Sequence, residues 1–315
     1  MNETARRSTR IADDASPRLD AARSEASVRA LVARYGSPLL LIDCDSIRSQ
    51  YRALAAALPG VDLHYALKPL PEETVVRVLA AEGSWFDLAT SGEVDLVRRA
   101  GVEAGRCIHT HPIKRDIDIR HALDFGVTTF IADNPDEIDK FAPYAGHARL
   151  LLRVAFRSRQ AMVDLSRKFG CEPQATLDLA RRAASIGVRV SGLSFHVGSQ
   201  VADPAMYSHA VITCAALMTA AGRAGLAPFE MLDIGGGFPI EYLKPVPPIH
   251  EFCRPIREAL AALPKGIRVI AEPGRFICGP AGIGIATVMG RAKREGRWWY
   301  YLDDGIYGTF SGQLY

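Results

Sequence analysis

The sequence predicts an α/β fold, a (β/α)8 barrel followed by the incomplete start of a β domain. Three observations predict it. Eight short apolar runs recur between positions 63 and 271, each separated from the next by a segment with helical hydrophobic spacing. The connections are short, the pattern of right-handed βαβ units and parallel strands. Polar and charged residues collect at the ends of those runs, where a barrel carries its chemistry. Eight parallel strands suffice to close a barrel; an open doubly wound sheet is the runner-up.

Residues 1–24 read as a disordered tail. Arg6, Arg7 and Arg10 have no apolar centre beside them, and Asp13, Asp14, Asp20 and Glu25 do not suit a targeting peptide. Residues 25–44 read as a helix and a strand: Val28, Leu31, Val32 and Tyr35 recur at helical spacing, Gly36 closes the helix, and Pro38–Asp43 is extended. The barrel is expected over 45–280. Asp45 or Ser46 can cap a helix carrying Ile47, Tyr51, Leu54 and Leu58. The strands are read as Leu63–Leu67, Trp85–Leu88, Arg106–His109 and Val127–Ala132, then Leu150–Val154, Val190–His196, Met231–Ile234 and Ile267–Ala271. The gaps hold helices at Glu72–Ala81, Gly92–Ala100, Arg115–Phe125, Asn134–Tyr144, Pro173–Ile186, Ala205–Ala224 and Ile249–Leu263. From 281 to 315 the period changes. Ile283, Ile285 and Val288 alternate, Arg291–Gly296 reads as a polar turn, and Trp298–Leu302 as a second strand. This is the start of a β domain that the chain stops before closing.

Composition bounds the function. A net charge of +3 over 315 residues gives no footing for nucleic acid or an anionic membrane. No apolar run approaches the ~20 residues of a membrane span. The six cysteines, Cys44, Cys107, Cys171, Cys214, Cys253 and Cys278, form no Cys-x-x-Cys pair, which suits a reducing cytoplasm.

Taken in order, the strand ends present Lys68, Asp87, His109 with His111, Arg153, His196-Val-Gly-Ser199-Gln200, Asp233-Ile-Gly235-Gly236-Gly237 and Glu272-Pro-Gly274-Arg275. A strand-end lysine is ordinarily a packed stem with its ammonium in water. Held at the mouth of a core it is poorly hydrated, its pKa falls, and it can attack carbonyls. Two prolines, Pro69 and Pro71, stop the strand there. The glycine run lets backbone amides approach an anion, Ser199 offers a hydroxyl, and Arg275 offers a fork of donors. It is no dinucleotide fingerprint, because Ile240 stands where a third spaced glycine belongs. His109-x-His111 has the spacing of two metal ligands, but no acid stands in ligand-like arrangement nearby, so no metal is expected and the pair reads as pocket or rim histidines. A carbonyl-trapping lysine, a phosphate cradle, a flat histidine and an acid describe a pyridoxal 5'-phosphate site. Lys68 would hold the aldehyde, Gly235–Gly237, Ser199 and Arg275 the phosphate, Glu272 the pyridine nitrogen, and His196 one ring face. A buried glutamate without a cationic partner protonates, so Glu272 needs that partner.

From about Tyr35 to Tyr315 these residues resemble the fold-type III pyridoxal-phosphate decarboxylases, which act on ornithine, lysine, arginine and diaminopimelate. The strings are His-Tyr-Ala-Leu-Lys68, Phe-Asp87-Leu-Ala-Thr-Ser-Gly-Glu93, Leu-Ser-Arg-Lys-Phe-Gly170, Phe-His196-Val-Gly-Ser199-Gln, Asp233-Ile-Gly-Gly-Gly-Phe-Pro239 and Glu272-Pro-Gly-Arg275. His-Pro-Ile-Lys114 and Asp303-Asp304-Gly-Ile-Tyr-Gly-Thr-Phe are similar to the ornithine branch; Gln200 is more like the diaminopimelate branch. The resemblance implies an alanine-racemase-like barrel with a β domain, in a homodimer whose active sites lie at the interface. It implies that Lys68 is the Schiff-base lysine, that His196 stacks on the ring, and that Ser199, Gly235, Gly236, Gly237, Gly274 and Arg275 bind phosphate. Glu272 takes the pyridine nitrogen, Asp87 and Arg153 line the cofactor, and Tyr315 stands at the substrate. The family's cysteine, its aspartate and a later tyrosine would lie past Tyr315. The expected reaction is decarboxylation of a basic amino acid, L-ornithine to putrescine in polyamine biosynthesis. Lysine or diaminopimelate decarboxylation, a non-catalytic homologue that binds a regulatory partner, and an amino-acid racemase are the other readings.

Overall fold

Parallel pairing around a closed ring organises residues 44–280 of the computed structural model, which describes residues 24–156, 168–242 and 244–311. The chain divides into two compact units, one of residues 44–280 and one of residues up to 43 together with 281 onward.

In the larger unit, helix α2 (Cys44–Ala57) precedes eight strands; α1 (Glu25–Tyr35) and β1 (Leu39–Ile42) belong to the smaller unit. They are β2 (Val61–Ala66), β3 (Trp85–Leu88), β4 (Cys107–His109), β5 (Thr129–Ala132), β6 (Arg149–Val154), β7 (Arg189–Phe195), β8 (Met231–Asp233) and β9 (Arg268–Ala271). β9 pairs back onto β2 through Val61↔Val269, Asp62↔Ile270 and Leu63↔Ala271, which closes the barrel and removes the open sheet. Between them run α3 (Glu73–Ala81), α4 (Ser91–Arg99), α5 (Asp116–Phe125), α6 (Pro135–Asp139), α7 (Thr176–Ser185), α8 (Ala205–Arg223), α9 (Ile249–Phe252) and α10 (Arg254–Leu260), with α11 (Arg275–Cys278) after β9.

The helix boundaries follow local chemistry. Thr90 caps α4 by accepting from the Glu93 N–H, and Gly126 ends α5 in the left-handed region. Two expected helices are shorter than their hydrophobic spacing suggests. The segment 134–144 is α6 plus a separate turn at Ala142–Tyr144, and 249–263 breaks at Cys253 into α9 and α10. Pro143 and Pro255 cause these breaks, because proline fits only the first turn of a helix. α8 corrects the expectation that no run nears membrane length: it has 19 residues and a mean hydropathy of 1.2. Here it buries Tyr207, Ala210, Val211, Cys214, Met218 and Ala221, as a helix of a barrel's outer ring does.

Inside the barrel, Ile108, Ile131, Leu151, Met231 and Ile270 form one buried apolar layer. Each such side chain contributes about 1.5–3 kcal/mol by leaving water. Side chains alternate along a strand, so residues two positions further on point inward again. That places Arg153 above Leu151, Asp233 above Met231 and Glu272 above Ile270. In-register partners share a face, so Asp87 joins Ile108, and Ser194 lies between Arg153 and Asp233. A polar layer therefore rests on the apolar one, at the C-terminal mouth.

The smaller unit holds α1 (Glu25–Tyr35), capped by Ser24, so the helix cap lies one residue inside the expected tail. β1 (Leu39–Ile42) pairs antiparallel with β10 (Gly282–Ile285), a partnership across some 240 residues that no local pattern announces. β11 (Val288–Arg294) and β12 (Arg297–Leu302) form a hairpin. Its turn is only Glu295 and Gly296, both at positive φ (51° and 78°), so the strand continues through the basic residues expected to be loop. Trp298, Trp299, Tyr300 and Tyr301 on β12 are all exposed.

Candidate active site

The mouth of the barrel gathers most of the sequence-predicted residues. Asp87, Arg153, Asp233 and Glu272 are buried together in the polar layer. One guanidinium thus faces three carboxyls. Burial and the charges of Asp233 and Asp87 push Glu272 well above the usual carboxylate range, and its hydrogen bond to Asp233 pushes it the same way. Glu272 is the partner that keeps the proton and donates to Asp233, which also accepts from the Ser194 hydroxyl at 2.7 Å and the Gly235 N–H at 2.8 Å. Asp87 is also pushed well up, by burial first, against a hydrogen bond from the Thr110 hydroxyl. Burial lowers Arg153, and the carboxyls around it, Glu272 first, hold it charged. Its guanidinium carbon lies 5.5 Å from the centre of the Phe169 ring.

Oε1 of Glu272 is buried and has no hydrogen-bond partner among the described residues. A buried unpaired oxygen is costly, and a ligand donor directed at it would remove the cost.

His196 follows β7 and is half-buried. Its Nδ1 accepts from the Gly198 N–H at 3.0 Å, which leaves Nε2 to carry the proton of the neutral ring. Burial, then the charges of Arg153 and Lys68, push its pKa down to about 3, so the ring is uncharged at neutral pH.

The glycine run is required by packing as well as by any anion. A Cβ on Gly235 would lie 2.3 Å from the Phe195 carbonyl oxygen, one on Gly236 2.5 Å from that of Glu272, and one on Gly237 2.1 Å from that of Gly198. Gly235 and Gly237 also sit at φ +65° and +104°. The turn is wedged between the loops after β7 and β9. The carbonyls of Gly235, Gly236 and Gly237 are taken by Glu272 N–H, the Tyr207 hydroxyl and Val201 N–H. The amides of Gly236 and Gly237 meet no acceptor among the described residues. Gly237→Ala combines a left-handed backbone with a backbone clash, and is expected to cost about 2–4 kcal/mol. Urea unfolding of the cofactor-free chain measures it; a loss below 1 kcal/mol would show that the turn relaxes freely.

Lys68 departs from expectation. β2 ends at Ala66, and Lys68 is exposed with no hydrogen-bond partner among the described residues, so its ammonium is not desolvated. The prolines carry the chain up and out of the core. Its charge still acts on the site, lowering the pKa values of His196, His111 and Glu93. Its loop touches the last one: Ala66 N–H donates to the Pro273 carbonyl at 3.1 Å, and a Cβ on Gly274 would lie 2.8 Å from Pro69. Arg275 is exposed and donates to the Tyr242 hydroxyl at 3.0 Å rather than to an acid. Ser199 is half-buried beside Gly198. Tyr315 and the Leu165-Ser-Arg167 part of the family string lie outside the described residues.

The histidine pair divides. His109 ends β4, buried, with both ring nitrogens unpartnered among the described residues, and packs 5.8 Å from Phe130. His111 lies beyond the strand, where its Nδ1 meets the backbone of Ile113. Asp233, Thr110 and Glu93 are members of the site beyond those expected from the sequence. Asp233 had the same strand-end signal as the others. Thr90 and Glu93 had capping-box spacing, although the Glu93 carboxylate accepts from Ala89 N–H at 2.6 Å, one residue before the cap.

The donor set suits pyridoxal phosphate: an unpartnered buried carboxyl oxygen, a neutral ring, free amides at a glycine turn, and a lysine at the rim. The family model described as "Pyridoxal-dependent decarboxylase, pyridoxal binding domain" matches residues 44–279. A lysine/ornithine decarboxylase of Selenomonas ruminantium is 36% identical over 293 residues, 93% of this chain and 74% of that protein. An ornithine decarboxylase of Caenorhabditis elegans is 34% identical over 296 residues, 89% of this chain and 69% of that protein. The crystal structure of a lysine/ornithine decarboxylase from Vibrio vulnificus, complexed with putrescine, superposes with a TM-score of 0.87 at 53% identity, covering 92% of this chain and 78% of that one.

Proposed function

Because the chain belongs to the pyridoxal-dependent decarboxylases, we propose that it removes the α-carboxylate of a basic amino acid, L-ornithine to putrescine, with L-lysine to cadaverine as the companion reaction. The observation that carries this is the buried, partnerless Glu272 Oε1 at the end of one strand, set in the same mouth as Lys68. The similarity to lysine/ornithine decarboxylases supports both substrates.

Bound pyridoxal phosphate supplies a protonated ring that accepts the electron pair released as the carboxylate leaves. Lys68 would hold the cofactor through its aldehyde carbon, just past the end of β2. Glu272 Oε1 would accept from the ring nitrogen, with Arg153 balancing the carboxyls behind it. Neutral His196, held by Gly198, offers a flat uncharged face. The amides of Gly236 and Gly237, the Ser199 hydroxyl, Gly274 and Arg275 would hold the phosphate, and Asp87 would line the ring. The exposed aromatic face of β12 supports a homodimer, and six free cysteines support a cytoplasmic setting.

The chain with added pyridoxal phosphate is expected to release carbon dioxide from ornithine and lysine, with the matching diamine appearing in equal amount. Uptake of the cofactor with no gas from any basic amino acid would refute the proposal.

A further inference from the structure

The mouth carries a second lysine that the reaction does not use. Lys114, in the loop after β4, is 1% exposed at its side chain and pairs at 2.9 Å with Glu137, which is equally buried. Its Nζ also donates to the carbonyls of His111 (2.9 Å), Pro112 (3.2 Å) and Ile131 (2.6 Å). Its own N–H donates to Glu137 Oε1 at 3.0 Å, and its carbonyl accepts from Lys140. Lys140 holds the other Glu137 oxygen at 2.6 Å.

Buried charge is expensive, so an ammonium held by its own loop, by Ile131 on β5 and by Glu137 on α6 demands a reason. The contacts lead back to the site. Glu137 opens α6, and its N–H is capped by Asn134, whose side chain donates to Asp133. Asp133 accepts from the Gly170 N–H at 2.8 Å. Gly170 follows Phe169, the ring packed on the Arg153 guanidinium. From the other side, His111, whose carbonyl Lys114 holds, meets the same ring edge-on at 5.6 Å. The loops after β4 and β5 thus converge on Phe169.

We propose that Lys114 is a positioning residue: it ties the loop after β4 to the end of β5 and the start of α6, and through His111 fixes Phe169 against Arg153, the guanidinium facing Asp87, Asp233 and Glu272. This rests on the pyridoxal-phosphate reading of that layer. Loosening Phe169 lets the guanidinium shift, and the charge balance that Glu272 needs shifts with it.

The test compares Lys114→Met, His111→Ala and the double variant by pyridoxal phosphate titration, by the ratio of the bound cofactor's visible and near-ultraviolet bands, and by thermal unfolding. His111 is only half-buried, so its variant folds even where Lys114→Met does not. Each single variant is expected to weaken cofactor binding by on the order of ten-fold and to change the band ratio. The double variant should match the larger single in both cofactor readouts, while the thermal midpoint falls only where Lys114 is replaced. Additive effects in the double variant, or a wild-type band ratio in either single variant, would overturn the proposal. Failure of the wild-type chain to take up pyridoxal phosphate would instead overturn the underlying reading.

Discussion

Lys68→Ala is expected to leave a folded protein that cannot attach pyridoxal phosphate covalently. Lys68 is exposed and bonds to nothing among the described residues, so its loss should change stability by less than about 0.5 kcal/mol. Borohydride treatment followed by mass measurement should add the cofactor to the wild-type chain and not to the variant. The phosphate donors and Glu272 remain, so some non-covalent binding persists. Turnover should fall by ~10²-fold to ~10⁴-fold, the span a positioned acid–base group contributes. Covalent cofactor on another lysine of the variant would move the chemistry away from the end of β2.

Glu272→Gln separates the two demands placed on this residue. In the cofactor-free chain Glu272 is raised well above the usual carboxylate range by burial, Asp233 and Asp87. Between the unfolded-state pKa and that raised value, the folded chain binds more protons than the unfolded one. Stability therefore falls as pH rises through this window, and is fully retained only below it. Glutamine carries no proton to lose, so the variant should be the more stable form at neutral pH, and its stability should vary less with pH. With cofactor the order reverses. A neutral amide cannot hold a proton on the ring nitrogen, and turnover should drop by ~10²-fold to ~10³-fold, as when one electrostatic partner of a reacting centre is removed. Thermal unfolding from pH 5 to pH 9, with and without pyridoxal phosphate, reads both effects. A variant less stable than wild type at every pH without cofactor would mean that Glu272 is ionised there and satisfied by Arg153.

The barrel was legible because its signals are local. β2 through β9 announce themselves as short apolar runs between helix-spaced segments, and the polar residues at their ends stand out against that background. Asp87, Arg153, His196 and Glu272 were identified in this way. Proline breaks after α6 and between α9 and α10 were equally local but outweighed by hydrophobic spacing.

Other features were not legible, because they depend on which loops meet. Nothing near Lys114 marks it as buried, since Glu137, Ile131 and His111 become its neighbours only when adjacent strands align. The glycine run read as an anion cradle, yet its conformation is forced by carbonyls of Phe195, Gly198 and Glu272 that arrive from two other loops. Solvation of Lys68 likewise depends on how far Pro69 and Pro71 lift the chain, and the expectation of a desolvated amine was wrong for that reason.

The amino-acid sequence by itself determined the alternation of strand and helix, the polar groups at seven of the eight strand ends, and the family those groups resemble. The tertiary structure alone decided that Glu272 keeps its proton against Asp233, that β1 pairs with β10, and that a buried ammonium joins the loop after β4 to β5 and α6. The division is physical. Periodicity and backbone preference act over a few residues, whereas burial and Coulomb energies are set by side chains brought within a few ångströms by closure of the ring.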